Sequence, residues 1–165
     1  MALSQALFIQ KPWIDKILDE GKTWEMRGYL TNKRHRFYLA ESKANLLRGE
    51  ATLINCKLVA VKDSNGAWVP AGNTEQDQLD FFMNERNYKN MGFNPVTDMP
   101  KFLQKCDKLY AWVLGNITRY QVPVSWKPKR GPIIWCSVNQ PSKLSKPNKP
   151  KAVAKPGKNR PSLGR

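Results

Sequence analysis

Three ionisable side chains of different kinds fall within six positions of the stretch LDEGKTWEMRGY, residues 18–29: Lys22, Glu25 and Arg27. Glu25 and Arg27 are two residues apart, so on a strand they share one face, about 7 Å apart. Lys22 stands where a helix passes into that strand, and alternation does not set its direction. On a solvated face the three make a charged edge that discourages strand-to-strand aggregation. Alternatively, Glu25 and Arg27 form an internal ion pair that ties one strand to another. In a cleft the same groups could do chemistry. The planar fork of Arg27 would clamp a phosphate or stack on a base. Glu25 would accept from an exocyclic amine or orient Arg27. Lys22, desolvated beside Arg27, would hold its proton less tightly and could act as a general base.

The flanking residues say what must position them. ALFIQ, residues 6–10, has the length of a strand. Pro12 sits where a helix tolerates it best, at the first turn. Trp13, Ile14, Ile17 and Leu18 follow at helical spacing, with Asp15, Lys16, Asp19 and Glu20 opposite. Gly21 is placed to stop that helix. The next residues alternate, Trp24 and Met26 on one side, Thr23, Glu25, Arg27 and Tyr29 on the other. Further strands are expected over 36–42, 108–115, 117–126 and 131–138, and over 49–62, which is long enough to need a bend or bulge. Residues 63–68 supply a turn, 75–90 a second helix and 92–100 a loop. Short consecutive strands with few helices predict an α+β fold, a small mixed β-barrel with two or three helices, rather than βαβ repeats. No glycine-rich phosphate loop is present.

At 165 residues the chain has room for one domain, over 1–138. Residues 139–165 are rich in Pro, Lys, Ser and Gly and have little to bury, the composition of a disordered tail. No acidic residue follows Asp107, while 13 of the 28 Lys and Arg do, eight of them in that tail. Such an arm fits a polyanion, nucleic acid first and an anionic membrane surface second. Cys56, Cys106 and Cys136 have neither zinc-ligand spacing nor an even count, so a reducing, cytoplasmic setting is expected. His35, the one histidine, lies in the cationic run NKRHRF and reads as solvated or phosphate-facing rather than catalytic. Neither a signal peptide nor an apolar stretch of about 20 residues is seen, so no membrane span is expected. No carboxylate cluster points to a metal, and no cofactor is expected; a single Mg²⁺ held mainly by substrate phosphates would leave no such mark. Oligomeric state is not legible.

Five segments together, QKPWIDKIL, GKTWEMR, GEATLINC, YAWVL and GPIIWCSV, give the chain a likeness over about residues 6–138. In that order they resemble the ASCH domain, a relative of the PUA superfamily of RNA-binding pseudo-barrels. Lys22, Glu25 and Arg27 match the family pattern G-x-K-x-x-E-x-R, whose leading glycine is replaced here by Glu20, with Gly21 one residue late.

The resemblance implies a PUA-like pseudo-barrel with the three charged residues in a cleft beside it. It implies single-stranded RNA, or a nucleotide extruded from RNA, as the ligand, with ribonuclease activity as an extension in which Lys22 and Glu25 are catalytic and Arg27 binds nucleic acid. Ser42 and Lys43 would bind a phosphate at the mouth. Trp13 and Trp135 would stack on bases, whereas Tyr110 and Trp112 read as core. Lys33, Arg34, Arg36, Lys127, Lys129 and Arg130 would touch phosphates rather than read bases. One branch resembles an amidohydrolase acting on acetylcytidine through a lysine matching Lys22 and a threonine three residues on. That position holds Glu25, a poorer candidate for a hydroxyl's role.

Overall fold

The structure is a computed structural model that describes residues 3–71, 84–128 and 134–138. Within them the elements run β1 (Gln5–Ile9), α1 (Trp13–Asp19), β2 (Trp24–Arg27), β3 (Arg36–Glu41), β4 (Leu46–Lys62), β5 (Trp68–Pro70), α2 (Glu85–Met91), α3 (Lys101–Gln104), β6 (Lys108–Ser125) and β7 (Trp135–Ser137). The fold is α+β, with one mixed seven-stranded sheet in the order β2-β6-β4-β3-β1-β7 and β5 on the side of β4. Among the described residues only β1 and β3 pair in parallel; the other pairs are antiparallel.

The two long strands carry the sheet. The ladder between β4 and β6 slips at four places, between Leu47 and Gly49, Glu50 and Thr52, Leu53 and Asn55, and Leu58 and Ala60. Such bulges bend a strand that would otherwise run straight past the core. The two strands expected over 108–115 and 117–126 are a single one, with Asn116 at a φ of 49° near its middle. Pro123 does not break it, because residues 120–123 have no register partner in β4 and β2 pairs only with residues 110–113. The missing N–H costs no ladder bond there.

Helix α1 packs Ile14 and Ile17 against Leu7, Ile9, Phe37 and Leu39, all fully or nearly fully buried. Each such side chain contributes about 2 kcal/mol by leaving water. The helix expected over 75–90 is seen as α2, N-capped by Asn84, whose side chain accepts the Arg86 N–H at 3.0 Å; residues 75–83 of that expectation lie outside the described residues. Helix α3 falls where no element was expected.

The expected closed barrel is corrected. Among the described residues the two ends of the strand order, β2 and β7, are not hydrogen-bonded to each other. Strands of four and three residues offer little backbone to zip together. Side chains span the seam instead. Arg27 of β2 donates from Nη2 to the Phe8 carbonyl of β1 at 3.2 Å. Trp112 of β6 stacks on Trp135 of β7, with ring centroids 5.9 Å apart and planes 17° from parallel. Among the described residues no helix is long and apolar enough to cross a membrane.

Candidate functional site

The turn after α1 aims Lys22 inward. The Lys16 carbonyl accepts N–H groups from both Glu20 and Lys22, and Gly21, at a φ of +77°, reverses the chain between them. A residue with a Cβ would be strained in that left-handed conformation. The Lys22 side chain is 2% exposed and donates to the carbonyls of Trp24 and Met91, the latter at 2.7 Å. Met91 O is one of the carbonyls left over at the C-terminus of α2, so the ammonium also caps that helix. Lys16 does the same for Gly92 O.

Alternation along β2 does the rest. Glu25 and Arg27 pair with Trp112 and Tyr110 of β6 and lie on one face, as their spacing requires. Glu25 is buried and stands between two cations. Its Oε1 is 3.1 Å from Arg27 Nη2 and its Oε2 is 3.7 Å from Lys22 Nζ. The Arg27 guanidinium lies over the Trp112 ring, 5.7 Å from the centroid. Its Nε is buried and finds no acceptor among the described residues, an unmet donor beside the site. Burial pushes the Lys22 ammonium down from 10.5 to about 8, with Glu25 opposing the shift and Arg27 adding to it.

Glu25 and Arg27 line a cleft of about 210 Å³ with Phe8, Gln10, Trp13, Ser42, Phe102 and Ile134. Lys22 does not line it. It sits behind Glu25, against a gap of about 10 Å³ walled by Trp13, Phe93, Phe102 and Leu103, at the lower limit for one water molecule. The ammonium lies 5.6 Å from the Trp13 ring centroid. Trp13 is itself held edge-on by Phe93 and Phe102.

The other expected site residues divide. Trp13 and Ser42 line the cleft. Lys43 follows Ser42 at a φ of 68° and is exposed. Trp135 does not line it; its neighbour Ile134 does, while Trp135 packs between Trp112, Phe37 and His35. Lys33 lies over Trp135 and donates to Gln5 Oε1 at 3.0 Å. Arg34 is exposed and donates to the carbonyls of Thr31 and Lys33. Arg36 is spent inside the sheet, on Glu50 at 2.8 Å, the Asn116 carbonyl at 2.7 Å and Thr118 at 3.1 Å. Glu50 also accepts from Tyr120, whose phenol is pushed upward by burial and by that carboxylate. Lys127 is exposed, while Lys129, Arg130 and the tail lie outside the described residues. His35 is half-buried rather than solvated, and burial followed by Lys33 lowers its pKa. Among the described residues no cluster of three His, Cys, Asp or Glu is placed to hold a metal ion.

Phe8, Gln10, Phe102 and Ile134 were not anticipated. Phe8 and Gln10 have a signal, since they stand two residues apart where β1 ends and so point the same way. Phe102 has none, because a four-residue helix carries no periodicity.

No protein-family model matches the sequence. A search of curated protein sequences finds no match either. Solved structures do match. A serine-to-alanine variant of ZmASCH from Zymomonas mobilis aligns over 82% of this chain and 88% of its own, with a TM-score of 0.56 at 12% identity. A tyrosine-to-phenylalanine variant of the same protein aligns over 73% and 74%, with a TM-score of 0.51 at 13% identity. The resemblance read from GKTWEMR and its companion segments therefore has its counterpart in three dimensions: the chain has the fold of the ASCH domain.

Proposed function

We propose that the cleft holds one unstacked nucleotide of a single-stranded RNA. The observation that carries this reading is the pairing of Glu25 and Arg27 on the wall of a cleft whose lining also includes Phe8, Trp13, Phe102 and Ile134, with Gln10 and Ser42. Aromatic walls grip the faces of a planar base, and a fixed carboxylate and guanidinium engage its polar edge or its phosphate. A volume of about 210 Å³ is below the range usual for drug-sized ligands, about 300–1,000 Å³, and suits one base. Lys43 and Lys101 adjoin the lining residues Ser42 and Phe102 in sequence and are exposed, cations that would meet the backbone. The basic tail adds affinity without sequence preference. The setting we propose is the cytosol, where the cysteines would stay reduced, and the sheet serves as a PUA-type pseudo-barrel whose seam is spanned by side chains.

Fluorescence anisotropy with a labelled single-stranded RNA tests this reading. Phe102 is 48% exposed, so Phe102→Ala leaves the core intact while removing one wall. It is expected to weaken binding about tenfold; unchanged affinity would argue against the cleft.

A second reading is ribonuclease activity in which Lys22, behind Glu25 and outside the cleft lining, acts through the charge of Glu25 rather than on the substrate itself; the observation that favours it is the Lys22 pKa of about 8. About one amine in ten is then neutral at pH 7. Cleavage would rise with pH up to about 8 and disappear in Lys22→Met. Hydrolysis of acetylcytidine is favoured less. The Thr23 hydroxyl is engaged by Asn90 at 3.2 Å, and Thr23 does not line the cleft.

A further inference from the structure

We infer that Tyr29 is the platform for a second base, so that the site takes a strand of at least two nucleotides rather than a free nucleoside. The inference rests on the reading of the cleft given above and extends it beyond Arg27. Tyr29 follows β2 and is 40% exposed. Its carbonyl accepts the Trp112 indole N–H at 3.0 Å. Its ring meets the Trp112 ring edge-on, with centroids 5.3 Å apart and planes at 88°. The contact with Trp112 therefore fixes the side chain, and its 40% exposure leaves ring surface open to solvent. A fixed, solvent-exposed aromatic is what a base stacks upon.

The position follows from the chain. Gly28 turns the backbone tightly at the end of β2, where any Cβ would come within 2.4 Å of Cys106 Sγ. That turn brings Tyr29 back over Trp112, the same ring that carries the Arg27 guanidinium 5.7 Å from its centroid. Arg27 and Tyr29 thus share one support, with Arg27 at the cleft and Tyr29 beyond it. Burial raises the Tyr29 phenol, with Arg27 lowering it and Glu25 raising it in smaller measure. A strand with one base in the cleft would lay its linking phosphate at Arg27 and its next base on Tyr29. A free nucleoside would leave Tyr29 unused.

The test is isothermal titration calorimetry with ribonucleoside monophosphates, dinucleotides and a ten-nucleotide RNA, on wild type, Tyr29→Ala and Tyr29→Phe. The wild type is expected to gain about tenfold in affinity from one nucleotide to two, the worth of one stacked base. Tyr29→Ala should lose that gain on the dinucleotide and the ten-nucleotide RNA, and Tyr29→Phe should keep it. A gain that persists in Tyr29→Ala, or that is missing in the wild type, overturns the inference and leaves the cleft reading standing. Wild-type protein that binds none of the three overturns both.

Discussion

The Glu25 carboxylate and the Arg27 guanidinium stand 3.1 Å apart on one face of β2, and behind them the buried Lys22 ammonium is aimed at the other carboxylate oxygen. One acidic group thus compensates two cations inside the protein. The arrangement is both a structural tie and a polarised wall of the cleft, and the two roles separate under mutation.

Glu25→Gln leaves Lys22 buried without its counter-charge. Removing one partner of a buried ion pair costs about 3 kcal/mol or more. We expect the urea midpoint to fall by that equivalent with an unchanged m-value, which equilibrium unfolding measures. A loss below about 1 kcal/mol would mean that the charges are solvated.

Lys22 makes stability depend on pH in a defined direction. Its folded-state value, about 8, lies below the ordinary 10.5, so between those values the unfolded chain holds a proton that the folded chain has released. Stability therefore rises with pH across that window. The cost of burying the charge is fully present below about pH 8 and is relieved toward 10.5. Relative to Lys22→Met, wild type should gain about 2 kcal/mol between about pH 7 and about pH 9.5. Parallel pH profiles of the two proteins would place the Lys22 ammonium in water.

Arg36 serves the sheet rather than the ligand. Its bonds to Glu50, Asn116 and Thr118 join β3, β4 and β6. Arg36→Ala should cost about 1–2 kcal/mol of stability and leave both RNA affinity and its salt dependence unchanged. A reduced salt slope at constant stability would make Arg36 a phosphate contact after all.

Removal of residues 139–165 takes away eight cations. The logarithm of RNA affinity should then fall less steeply with the logarithm of salt concentration, because each neutralised phosphate on a single strand adds about 0.7 to that slope. Titrations at several salt concentrations measure it. An unchanged slope would show that the tail does not touch the ligand.

Much of the site was legible because its spacing is local. Glu25 and Arg27 share a face because strands repeat every two residues, and Trp13 and Ile17 follow a proline-started helix stopped by Gly21. The bulges of β4 followed from a strand too long to stay straight. Other features depend on partners distant in sequence. Arg36 looked like a free cation because nothing nearby announces Glu50 and Asn116, fourteen and eighty residues away. Alternation does not set the direction of Lys22 and the family resemblance puts it in the cleft, yet the Met91 carbonyl sixty-nine residues on draws it behind Glu25. The sheet was expected to close; its end strands are too short to do so, and the Trp112–Trp135 stack crosses the seam instead.

The central claim, that a single-stranded RNA base lies in the cleft, is tested most directly by ultraviolet cross-linking of a labelled single-stranded RNA to the full chain, followed by peptide mapping and by a gel that scores cleavage. Adducts at Trp13, Phe8 or Phe102 are the predicted result. Adducts confined to other segments, or efficient binding with none at these three, would contradict the account.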